Sequence, residues 1–158
     1  MNKAHVIEHI RFALEAKLSE ATNAADSARL DATHEQSAAE TQYDSLSIES
    51  GYLAQGQSER VNDAHKSIAQ FEQSYDLQSA NQVTVGSLIK AIDLDDKTHW
   101  FYFGPSEGGL KVTVKQQAVL VITQSAPIGW ALFNKMIGDE CEYQVASQTY
   151  SFEILDIL

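Results

Sequence analysis

Ser125-Ala126-Pro127-Ile128-Gly129-Trp130-Ala131-Leu132-Phe133-Asn134-Lys135-Met136-Ile137-Gly138-Asp139 is the stretch on which the reading of this chain turns. A turn runs into a short apolar helix, roughly residues 128–136, which ends at Lys135-Met136-Ile137-Gly138-Asp139. Around it lie short apolar runs at 83–85, 88–92, 100–103, 110–114 and 118–122. Two more follow at 142–145 and 150–157 and form an alternating pair that reaches the C-terminus. Their aromatic and β-branched residues with partial alternation favour strands. Asp95-Asp96 and Gly104-Pro105 mark turns, and Gly108-Gly109 marks a loop. These residues predict an α+β domain, a small twisted sheet with one covering helix.

The N-terminal half is different. No proline occurs in residues 3–75. Apolar or small residues recur at Ile7, Ile10, Leu14, Leu18, Ala21, Ala25, Ala28 and Ala32, in steps of three and four that mark one helical face. A second, less regular series runs through Leu46, Leu53, Val61, Ala64, Ile68, Phe71 and Tyr75. Neither stripe buries itself alone, so two antiparallel helices facing each other are expected, each of ~30 residues and ~45 Å. Bulky residues gather near the base and alanine toward the turn. The distal arm is therefore thin, buries less apolar area and is the less stable end. The turn is placed between Ala32 and about Ala39, where Ser37 followed by Glu40 fits a capping box. A single unbroken helix is the alternative, because this segment lacks glycine. The periodicity stops near Asp76. The expected division is a helical hairpin over residues 1–76, a linker over 77–82 and the β-rich domain over 83–158.

Composition narrows the function. The formal charge is -11 over 158 residues. So acidic a surface repels phosphate backbones and disfavours direct nucleic-acid binding, while it suits a partner with a basic face. No apolar run approaches a membrane span of ~20 residues. The N-terminal stretch reads as an amphipathic helix, so no signal peptide is expected. Cys141, the single cysteine, excludes an internal disulfide, fits a reducing cytoplasm and is expected to be a buried thiol. His5 and His9 share a helical face but lack a third ligand nearby, and ordinary surface histidines are expected. Asp93, Asp95 and Asp96 do not complete an EF-hand, and a hairpin turn is expected there. Residues 109–115 hold two lysines, on a solvated strand face or at an acidic partner. No P-loop, Rossmann fingerprint or nucleophile elbow is present, and Ser, His and Asp show no catalytic arrangement.

The 125–139 segment resembles the C-terminal domain of the Gre-type transcript cleavage factors (the GreA/GreB family), whose pattern there is roughly Ser-Pro-x-x-x-Ala-Leu-x-x-Lys-x-x-Gly-Asp. Val85-Gly86, Phe103-Gly104-Pro105 and the closing Tyr150-x-Phe152-x-Ile154 strand follow in family order. Ala126 here separates Ser125 from Pro127, and Asn134 stands where glycine is common. The resemblance implies a helical hairpin (coiled coil) followed by an FKBP-like domain that docks on bacterial RNA polymerase. No isomerase activity is implied. The hairpin would enter the secondary channel. The implied partner-binding residues are Tyr43, Ser125, Pro127, Trp130, Lys135, Gly138 and Asp139, with Trp130 read either as core or as docking face.

In such factors two tip acids help hold the polymerase's own Mg²⁺ and its water, which cleaves backtracked RNA. Tyr43 lies nine residues before Tyr52-Leu53, as in the family, and Gly51 precedes that pair. Anchored at Tyr43, the two acidic positions fall on Gln36 and Ala39, and the Gly-Asp-Leu opening is missing. Glu35, Glu40 and Asp44 are the remaining tip candidates. They form an altered Mg²⁺-reaching set (Glu35 and Glu40 sharing the ion), polymerase contacts without cleavage, or solvated and capping charges. The expectation is a cytoplasmic Gre-like elongation factor of a divergent branch. It would have no cofactor of its own, would not itself be an enzyme, and would modulate paused or backtracked polymerase. The alternative is a helical-hairpin interaction or chaperone-like module that has lost polymerase binding.

Overall fold

A computed structural model describes residues 1–38, 45–75 and 81–158, without the side chains of 35–38 and 45–47. Two long helices come first: α1 (Lys3–Ala38, 36 residues) and α2 (Ser45–Ser74, 30 residues). Asn2 caps α1, its side-chain oxygen accepting the Ala4 amide at 2.8 Å. Near the same end of the pair, Arg11 grips Glu72 through Nε (2.5 Å) and Nη2 (3.2 Å) and lies over the Tyr75 ring at 5.6 Å. Residue 11 opposite residue 72 makes the helices antiparallel, as the two stripes required.

The chain divides into two compact units. One is Phe12–Ile68; the other joins Met1–Arg11 to Ala69–Leu158. In the first, Leu14, Ala21, Ala28 and Ala64 are buried, with Leu18, Ala25, Ala32 and Val61 half-buried. The α1 face is the one the periodicity marks. Along α2 the expected series holds from Val61 on, with Ala64 and Phe71 buried and Val61, Ile68 and Tyr75 half-buried, but Leu53 is exposed and the half-buried positions beside it are Ala54 and Gln57. Steps of three and four from Phe71 and Ala64 lead back to Ala54 rather than to Leu53, so the larger side chain misses the seam. Most of the segment in which the turn is expected is helical. α1 runs on to Ala38, so Ser37 is inside the helix and cannot cap the next one. Residues 33–38 contain neither glycine nor proline to break the helix, and α1 extends past Ala32. Residues 39–44, which include Glu40, Tyr43 and Asp44, lie outside the described residues.

The second unit holds a six-stranded sheet. Its strands are β1 (Leu88–Asp93), β2 (Thr98–Phe103), β3 (Lys111–Val114), β4 (Gln117–Ile122), β5 (Glu140–Val145) and β6 (Gln148–Ile157). The spatial order is β3-β4-β2-β1-β6-β5, with β2 and β4 parallel and every other pair antiparallel. A bulge between Lys90 and Ala91 shifts the β1–β6 register.

Alternation gives each strand two faces. Ile89, Ala91, Phe101, Phe103, Ile122, Phe152 and Ile154 form one core with Ile128 and Leu132 of a short helix, α3 (Pro127–Leu132). On the opposite face Leu88, Trp100, Tyr102, Val119 and Val121 are buried, and Phe71 of α2 meets the Tyr102 ring at 5.8 Å. The sheet is thus covered on both faces, where sequence reading expected one covering helix. Two other expectations change. The covering helix stops at Leu132 rather than Met136, because Phe133 is extended and Asn134 has φ 62. The run 83–85 is not a strand. Val83 instead exchanges backbone hydrogen bonds with the loop after α3, Asn134 N donating to Val83 O (2.9 Å) and Val83 N to Lys135 O (2.8 Å).

Candidate functional site

The segment 125–139 carries most of the expected partner contacts, and local chemistry holds it still. Ser125 lies beside Thr123, their hydroxyls 3.1 Å apart, while Ala126 is the N-cap residue and makes no side-chain cap bond. Pro127, in the first turn of α3, needs no amide partner there. Gly129 packs so closely on the loop leaving β4 that a Cβ would stand 1.9 Å from the Thr123 carbonyl oxygen. This pins the underside of α3, with Ile128, Gly129 and Leu132 buried. Trp130 points the other way and is 77% exposed, so of its two readings the core is excluded.

The loop beyond α3 is equally constrained. Asp139 accepts the Met136 amide through Oδ2 at 2.8 Å, and its own amide donates to the Met136 carbonyl at 3.1 Å. Gly138, at φ 87, donates to Ile154 O at 2.8 Å. Gly138 and Asp139 therefore shape a turn that leaves Met136 and Ile137 exposed, while Lys135 is half-buried. Six expected residues (Ser125, Pro127, Trp130, Lys135, Gly138 and Asp139) are brought into one rigid segment. Glu35 sits in the last turn of α1, and Glu40, Tyr43 and Asp44 lie outside the described residues.

Titratable groups elsewhere are mostly structural. Cys141 is buried, and burial pushes its thiol above the ordinary range despite nearby Lys135. At the β1–β2 turn, Asp93 accepts from His99 Nε2 (2.7 Å) through Oδ2, and from the Lys97 (2.9 Å) and Asp95 (3.0 Å) amides through Oδ1. These bonds, that to His99 first, hold its carboxyl below the usual range. The three aspartates thus build a hairpin turn, as expected. Sequence reading missed the Asp93–His99 pair, although an acid and a histidine flanking an Asp-Asp turn was the available signal. It also missed the close approach at Gly129, which no local pattern announces. His5 and His9 are exposed, and no group of three or more metal-ligating side chains occurs among the described residues. No helix among them is long and apolar enough to cross a membrane.

The model of the transcription elongation factor GreA/GreB C-terminal domain matches residues 78–158, just over half the chain. The chain belongs to the GreA/GreB family. Two long helices followed by a sheet domain with α3 are the architecture expected of a Gre factor. Among solved structures this Gre-family chain is similar to the Gfh1 protein of Thermus thermophilus, at 15% identity over 94% of each chain with a TM-score of 0.40. It is similar to Thermus aquaticus Gfh1 at 15% identity over 92% of this chain and 91% of that one, TM-score 0.40. It is also similar to a GreA/GreB elongation factor from Nitrosomonas europaea at 20% identity over 49% of this chain and 60% of that one, TM-score 0.36. No curated protein sequence matches this Gre-family chain.

Proposed function

We propose that this Gre-family chain binds bacterial RNA polymerase in the cytoplasm and modulates paused or backtracked complexes. The observation that carries the reading is the family match over residues 78–158, joined here to an antiparallel pair of 36- and 30-residue helices. In this division of labour residues 1–76 are the arm that enters the secondary channel, 77–82 the connection and 83–158 the docking domain. Trp130, Ser125, Pro127 and Lys135 make the docking contacts, and Gly138 and Asp139 hold the loop that presents them. Tyr43 makes its contact from the arm. A Trp standing proud of a rigid helix is the kind of anchor that dominates an interface.

Transcript cleavage is the finer part of the proposal. Glu35, Glu40 and Asp44 are the acids available near the turn, and Mg²⁺ would be the polymerase's own ion, approached by Glu35 and Glu40. The chain holds no cofactor and performs no chemistry alone; at most it stimulates the polymerase.

The test adds purified protein to backtracked elongation complexes with Mg²⁺, follows their mobility and reads the RNA on a gel. Retarded complexes are expected, with binding weakened at least about tenfold by Trp130→Ala. Shortened RNA that Glu35→Ala or Glu40→Ala restores to full length would establish cleavage stimulation. Bound but uncut RNA would leave a channel-occupying regulator. No binding at about micromolar concentration would overturn the proposal. It would favour the second reading, an interaction or chaperone-like module, for which the observation is the exposed Leu30, Ile48, Tyr52 and Leu53 of the two helices.

A further inference from the structure

On the α3 side of the sheet a groove of about 450 Å³ opens beside the β1–β2 turn. The turn contributes Asp93, Leu94 and Asp95; β5 and β6 contribute Tyr143, Tyr150 and Phe152. Phe101, Leu120 and Ile128 also line it. Its size is that of a site for a few residues rather than a single water-filled crevice.

Three rings lie nearly parallel here. Tyr143 stacks on Tyr150 at 5.1 Å and 12°, and on Phe152 at 6.1 Å and 8°. His99 closes the set, edge-on to Phe152 at 5.2 Å. A ring face turned away from such a stack carries negative π density that attracts a planar cation. Among the described residues neither lysine nor arginine lines the groove, while two carboxylates do. Asp93 is occupied by His99 and two backbone amides, which leaves exposed Asp95 as the carboxylate placed to meet a ligand. Leu94 is 86% exposed at the same turn.

We infer that this groove binds an arginine side chain carried on an apolar segment of a protein partner, the guanidinium stacking on a tyrosine face left open by the ring stack and pairing with Asp95. A planar guanidinium suits both contacts better than a lysine ammonium does. An anionic segment would meet Asp95 and a chain of net charge -11. The inference does not depend on polymerase binding, and its test uses no polymerase.

The full chain, labelled with ¹⁵N, is titrated with the blocked tripeptide acetyl-Leu-Arg-Leu-amide. The expected result is amide shift changes confined to Leu94, His99 and the 143–152 hairpin. Replacing the peptide's arginine by glutamine should weaken binding about fivefold. Tyr150→Leu keeps the apolar bulk and removes the π face. It and Asp95→Asn should each weaken binding about threefold or more, with the remaining spectrum unchanged. Equal binding of the glutamine peptide would overturn the inference, leaving an apolar groove only. So would tighter binding of a glutamate peptide, changes centred on Trp130, or no change up to about 10 mM peptide.

Discussion

Gly129 shows how one missing methyl group sets a surface. A side chain there would overlap the Thr123 carbonyl, at 1.9 Å from its oxygen and 2.7 Å from its carbon. That obstacle is backbone, so it cannot rotate away. Gly129→Ala is expected to lift α3, loosen Ile128 and Leu132, and cost about 1–3 kcal/mol, read as a lower urea midpoint. An unchanged midpoint would mean that α3 slides freely on the loop. Tyr102 gives the opposite case. Its hydroxyl is buried with no hydrogen-bond partner among the described residues, and burial pushes its pKa up. Tyr102→Phe removes an unpaired polar group and keeps the ring against Phe71. It should stabilise the fold by about 1 kcal/mol, and a loss in urea unfolding would show that the hydroxyl has a partner. The phenol's raised pKa also has a sign. The folded protein keeps this proton better than the unfolded chain does, so its contribution is full below about pH 10 and falls as pH rises further.

Among the elements, α2 is where pattern and packing part. Leu53 looks like a seam residue by hydrophobicity, yet it is 57% exposed, while Ala64 is 5% exposed. Phase, not hydrophobicity, decides which side chain faces α1. Leu53→Gln is therefore expected to change stability by less than about 0.5 kcal/mol. Ala64→Leu should cost about 1–3 kcal/mol by forcing extra volume into a close-packed seam. The reverse ranking in urea unfolding would put Leu53, not Ala64, in the seam. The Arg11–Glu72 pair adds little beyond geometry, since both side chains are over a third exposed and such pairs contribute about 0–1 kcal/mol. α3 illustrates the other limit of local reading. Its start at Pro127 lies within a residue of expectation. Its end at Leu132 depends on Asn134 turning back to bond Val83, a partner distant in sequence.

For the molecule entire, residue pattern already separated a helical half from a sheet half, because periods of 3.6 and 2 are carried by neighbouring residues. Six of the seven apolar runs after residue 82 became strands, and α1's buried face is the one its spacing marks. The 125–139 segment was legible as a unit for the same reason: its turn, helix and closing glycine are local. Which of its residues point outward was not, and Trp130 read as core or as docking surface until α3 was seen pinned by Gly129. The strand order β3-β4-β2-β1-β6-β5, the second core under Phe71 and the Asp93–His99 pair likewise came only with the folded chain. Each joins residues whose meeting depends on how strands register and which faces are covered. Short-range periodicity holds no information about such meetings. It states that a residue belongs to a face, whereas packing states what that face touches.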